Sequence, residues 1–167
     1  AHNLFPLISP SSLYAVGKKA AKVVTLHNYR IVCSGAILAR DGSICTECID
    51  RKSSMPSILH GCYRGSTVMT VPVAFGISVN RALGTWVKHV DAVISLSEYQ
   101  KYILIRAGIP KDIIHVKPNY RDENNNAISL GNRRHCIVFV GRVSIDKGIA
   151  LLIRAWRDWG IAAPELR

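Results

Sequence analysis

The chain has 167 residues, of which 49% are hydrophobic and 20% charged, the balance of roughly one globular domain. That composition excludes a disordered or collagen-like polymer, and no apolar run reaches the ~18–20 residues a bilayer span needs. Lysine and arginine number 22 against 11 aspartates and glutamates, for a net charge of +11, and neither 1–40 nor 51–90 contains an acid.

The basic residues stand singly or in pairs (Lys18-Lys19, Arg51-Lys52, Arg133-Arg134), so no nucleic-acid arm is expected. A positive field spread in this way suits anionic small ligands, a phospholipid surface or nucleic acid. The first ten residues lack a basic stretch leading into an apolar run, so no signal peptide is expected. There is also no initiator methionine, which points to a fragment.

In chain order, SSLYAVGKKAA carries helical spacing (Leu13, Val16, Ala20), with Ser11 or Ser12 as the N-cap. The β-branched run 22–26 predicts a buried strand ending at His27-Asn28. Residues 33–66 are rich in Gly, Ser, Cys and Pro without a sustained period. They predict an irregular insertion, long enough to need a staple. Helical spacing returns over 68–88 (Val71, Phe75, Val79, Leu83, Trp86), with Pro72 placed in its first turn.

Residues 91–97 predict a strand. Ser97 then caps a helix over 98–107, and Gly108 with Pro110 closes it. Residues 113–119 predict a further short strand, and 120–134, with three consecutive asparagines, a linker. HCIVFVG (135–141) reads as a fully buried strand, followed by a loop and a helix with Ile149, Leu152 or Ile153, and Trp156 inward. Continuous apolar strands alternating with helices predict an α/β fold with a Rossmann-like parallel sheet and helices on both faces. Ligands bind such sheets at the carboxyl ends of the strands.

Three constellations could carry chemistry. In GRVSIDKG, Gly141 permits a tight turn, while Arg142 and Lys147 set two cations near a helix N-terminus, a reasonable diphosphate site. The alternative is a solvent-facing loop with two ordinary charges. Cys33, Cys45-x-x-Cys48 and Cys62 could supply four thiolates to a structural zinc that staples 33–66. The alternatives are buried free thiols or a redox pair, with His27 and His60 as substitute ligands. Cys136, inside a strand pattern, reads as core. His27, at a strand's carboxyl end, is the histidine best placed for a functional role, and His2 has weaker support.

HCIVFVGRVSIDKGIALLIRAW resembles the opening strand, loop and helix of the C-terminal domain of retaining glycosyltransferases of the GT-B fold, family 4. IPKDIIHVKPNYRD resembles the segment that leads into it, and KVVTLHNYR resembles an N-domain strand ending in histidine. VCSGAILARDGSICTEC with HGCYRGS resembles a cysteine-bearing insertion of a bacterial surface-polysaccharide subgroup.

The resemblance implies 1–119 as the later N-terminal, acceptor-side domain with its cysteine-rich insertion at 33–66. It implies 120–134 as linker and 135–167 as the first strand–helix unit of the donor domain. It also implies transfer of a sugar from a nucleotide-diphosphate sugar to a saccharide or lipid-linked saccharide in exopolysaccharide, capsule or lipopolysaccharide biosynthesis. No catalytic metal is required in the family. Gly141, Arg142 and Lys147 would hold the donor diphosphate, and His27 would stand at the reaction centre. The implied location is the cytoplasm, peripheral at the inner face of an anionic plasma membrane. The family's N-terminal glycine-rich loop and downstream paired glutamates are absent, so activity from this chain alone is not expected. The alternative is a zinc-stapled basic module that binds nucleic acid or a protein without catalysis. The unclustered charge and the lack of an aromatic platform count against nucleic acid.

Overall fold

A computed structural model describes residues 1–2, 4–5, 8–17, 20–120, 136–144 and 147–167. The chain divides into two compact units, Ala1–Tyr120 and Arg121–Arg167. Both mix helices with parallel strand pairing.

The first unit is built on a parallel sheet of β1 (Val23–Leu26), β4 (Ala92–Ser95) and β5 (Ile114–Val116), in the order β1-β4-β5. Register places Val24 beside Val93 and Val93 beside Ile114, and all three are at most 2% exposed. This row of β-branched side chains anchors a core completed by Leu13, Trp86, Leu104 and Ile109. On the free side of β1, His2 forms a parallel bridge to Thr25, whose N–H donates to the Ala1 carbonyl.

The helix predicted before β1 is shorter than its apolar spacing implies. α1 is only Ser12–Ala15, with Gly17 just beyond it, and Ser11 stands at its N-cap without a side-chain cap bond. The insertion is more ordered than predicted. β2 (Ala39–Arg40) and β3 (Ser43–Ile44) form a hairpin, followed by α2 (Glu47–Asp50) and α3 (Met55–Leu59).

The helical stretch 68–88 is two helices, α4 (Thr67–Leu83) and α5 (Thr85–Lys88), split at Gly84 with φ +66°. Pro72 lies inside α4 rather than in its first turn. Ser66 accepts from the Met69 N–H and so starts the helix at Thr67, leaving Pro72 without the N–H that would bond Val68.

α6 (Glu98–Arg106) follows the sequence reading closely. Ser97 accepts from the Gln100 N–H at 3.1 Å. At its end, Gly108 N–H donates to Ile105 and Ile109 N–H to Leu104, which together make a Schellman closure around Gly108 at φ +95°. Ile109 is buried, completing the motif's apolar contact.

In the second unit β6 (Cys136–Ile137) pairs in parallel with β7 (Glu165–Leu166), and α7 (Ile149–Trp159) lies between them in sequence. The fully buried strand expected at 135–141 is not found. Ile137 is 42%, Val138 59% and Val140 88% exposed, and His135 lies outside the described residues. A strand is buried on both faces only when neighbours and helices cover it, and the described pairing is two residues long. Cys136 is accordingly half-buried, not core. On α7 the less exposed positions are Ile149, Leu152 and Trp156; Ile153 faces outward. The expected linker at 120–134 lies, beyond Tyr120, outside the described residues. Among the described residues no helix is long and apolar enough to cross a membrane.

Candidate functional site

The carboxyl end of β1 delivers His27 and Asn28 to a cavity of about 280 Å³ between this strand end, the N-terminal segment and α4. Its walls are largely apolar, with Val73, Ile77 and Trp86 among them. Its polar residues are Ser9, Thr25, His27, Asn28, Arg30 and Asn80. An apolar cavity with few convergent polar groups at a parallel strand's carboxyl end has the character of a small-molecule site.

His27 does not stand alone. Its Nε2 lies 3.0 Å from His2 Nδ1, and the rings stack at 5.3 Å. One nitrogen must donate and the other accept, so the bond requires at least one neutral imidazole. The parallel bridge at His2 is what brings the two rings together.

Arg30 is the cation of this cavity. Its guanidinium lies over the rings of Phe5 at 4.7 Å and Tyr63 at 5.0 Å, and Nη1 donates to the Ser34 carbonyl. Asn28 Oδ1 accepts the Arg30 N–H, fixing the turn after β1. Burial lowers the Arg30 pKa, opposed by Tyr63 and Cys33, and no carboxylate among the described residues pairs with it. A partly desolvated guanidinium without a counter-charge favours an anionic or polar ligand.

A second polar chain holds the cavity floor. Tyr14 Oη donates to Thr85 Oγ1 (2.7 Å), which donates to Asn80 Oδ1 (2.9 Å), while Asn80 Nδ2 donates to the Gly76 carbonyl. Thr85 is fully buried, so these bonds fix the orientation of the Asn80 amide. Gln100, near the start of α6, accepts the Leu96 N–H and donates to the Asn28 carbonyl, tying α6 to the strand end.

The four insertion cysteines are free and half-buried. Cys48 lies within electrostatic reach of Cys33, Cys45 and Cys62, and Cys62 within reach of Cys33 and Cys45. Burial pushes both the Cys48 and Cys62 thiols up. Among the described residues no group of three or more His, Cys, Asp or Glu side chains is arranged to hold a metal ion. Neither proposed substitute ligand joins them: His27 pairs with His2, and His60 lies 3.6 Å from Glu47.

Gly141, Arg142 and Lys147 belong to the second unit, in the loop before α7. Arg142 and Lys147 are both exposed, and the Lys147 N–H donates to the Ser144 carbonyl. Gly148 takes φ +70° as the residue that starts α7.

Arg30, Asn80 and the partnership of His2 with His27 escaped sequence reasoning. The Asn28-x-Arg30 spacing after a strand end is a visible turn signal. The hydrogen bonds of Asn80 are local, to Gly76 and Thr85, but its place at the cavity and the contact of His2 with His27 depend on residues far away in sequence. No family model, curated protein or solved structure matches this chain.

Proposed function

We propose that this chain carries part of a retaining glycosyltransferase of GT-B, family 4 type, with a Rossmann-like acceptor-side domain and the opening of a donor domain. The observation that carries the reading is His27 at the carboxyl end of a parallel strand, lining a cavity beside the partly buried Arg30 guanidinium. A cation-bearing loop between a strand and a helix, as the resemblance requires, supports it.

In this reading the glycosidic bond to the nucleotide diphosphate breaks, the acceptor oxygen bonds to the sugar carbon on the same face, and the acceptor hydroxyl's proton passes to the departing diphosphate oxygen. The leaving diphosphate gains charge as its bond breaks. Arg142 and Lys147 stabilise that charge, with Gly141 providing the turn, and two cations suffice without a catalytic metal. His27 stands beside the donor sugar, with His2 fixing its ring. Arg30 and Asn80 help to bind the saccharide or lipid-linked acceptor. The enzyme serves surface-polysaccharide synthesis at the cytoplasmic face of the membrane.

The test uses the protein encoded by the complete reading frame that contains this segment. Arg142→Ala is expected to lower turnover about 10²–10³-fold, the scale of losing one preorganised charge-stabilising group. An unchanged turnover removes the diphosphate role.

A further inference from the structure

We propose that Cys33, Cys45, Cys48 and Cys62 together hold one structural zinc ion, which fixes residues 33–66 against the sheet domain and sets the position of Arg30 at the cavity.

Ser57 ties three of the four cysteine segments together. Its N–H donates to the Ser54 carbonyl at 3.1 Å and lowers the Cys48 thiol pKa against burial, and its carbonyl accepts the Cys62 N–H at 3.0 Å. Its hydroxyl accepts from Ser34, the neighbour of Cys33, at 2.7 Å and donates to the Ser54 carbonyl. Both hydroxyls are buried. Gly35 gives a second measure of closeness: a Cβ there would lie 3.8 Å from Cys33 Sγ and 3.9 Å from Cys62 Cβ. The fourth segment arrives through the hairpin, where the Cys45 N–H donates to the Leu38 carbonyl at 2.8 Å. Leu38 and Ile49 pack with Val32 and with Cys33 itself.

These bonds bring the backbones together and leave the thiols unpaired. The sulfurs do not yet converge on one point, but a change of χ1 well re-aims a cysteine sulfur without moving its backbone. Four thiolates in tetrahedral array are a preferred structural zinc set. Arg40 acts on Cys62, and Cys33 on Arg30, so two guanidiniums stand ready to offset the site's negative charge.

The backbone also points to an external staple. All five non-glycine residues with positive φ among the described residues (Ala36, Leu38, Asp41, Lys52 and Arg64) lie in this insertion. Its link to the cavity is direct, since Arg30 donates to the carbonyl of Ser34 and stacks on Tyr63, the residues beside Cys33 and Cys62.

The experiment is elemental analysis of the full chain purified without chelator, with cobalt substitution as a second readout. About one zinc per chain is expected, and cobalt should give the intense visible bands of a tetrahedral thiolate site. Serine at any of the four positions should reduce zinc to background, and Cys136→Ser should leave it unchanged. Cys45→His, which keeps a zinc ligand, should retain most of it and so separates loss of metal from loss of fold. A metal-free chain whose four thiols remain titratable overturns the proposal. So does a coloured iron-containing protein, or an intact mass showing the four cysteines oxidised to disulfides. None of these readouts depends on glycosyl transfer.

Discussion

Glu47 is the charge centre of the insertion. It accepts from Arg40 at 3.0 Å, with Arg51 at 3.1 Å and His60 at 3.6 Å. The hydrogen bond from Arg40 is the main cause holding its carboxyl below the usual glutamate range, aided by the charges of Arg51 and His60. A lowered carboxylate pKa adds stability above the ordinary value of about 4.3, and that stability is lost as pH falls through the native value. The insertion should therefore hold from neutrality to about pH 5 and loosen below about pH 4. Hydrogen exchange at the amides of residues 45–62, compared with Glu47→Gln, checks this. The variant should lose the part of the acid response that belongs to this carboxyl, and identical acid profiles would remove Glu47 from the account.

At the scale of elements, α6 shows what sequence can specify. Serine before the helix and glycine after it each have a local physical reason, and both ends fall where those residues stand. Nothing lies within 4 Å of a Cβ built on Gly108, so Gly108→Ala should cost only the backbone conformation, about 1 kcal/mol. Denaturant midpoints measure it; a neutral result would mean the closure relaxes. The three strands of the first sheet were legible for a similar reason, since their β-branched runs need burial wherever they sit. The β2–β3 hairpin was also legible and was missed. Asp41-Gly42, with φ +51° and +76°, is a two-residue turn of the kind Asp-Gly favours. The apolar run at 136–140 misled because burial depends on neighbours, and the sequence of a strand does not say whether its neighbours are there. The histidine at β1's end could be named from its position alone. Its partner His2 and the cation Arg30 belong to the same site through tertiary contacts that no local pattern carries.

At the scale of the molecule, charge and exposed apolar surface coincide on one stretch. α4 exposes Val68, Val71 and Phe75, within a segment, 51–90, that carries basic residues and no acid. That combination supports the proposed peripheral contact with an anionic membrane, where each basic residue near the surface adds about 1 kcal/mol. Co-sedimentation with vesicles containing phosphatidylserine or phosphatidylglycerol should fall as salt rises and should weaken in Phe75→Ser. Equal binding to neutral vesicles would refute the electrostatic part.

The left-handed residues of the insertion carry a consequence for the protein's lifetime. Alanine, leucine, lysine and arginine in that conformation cost about 1–2 kcal/mol each, so the segment should open before the sheet beside it does. An open segment is a protease substrate, and cleavage follows the fraction of time it is open. The first cuts should fall within 36–64, and, on the proposed zinc site, the rate of those cuts should follow zinc supply. A cell short of metal would then hold less of this protein, even with its gene expressed at the same level.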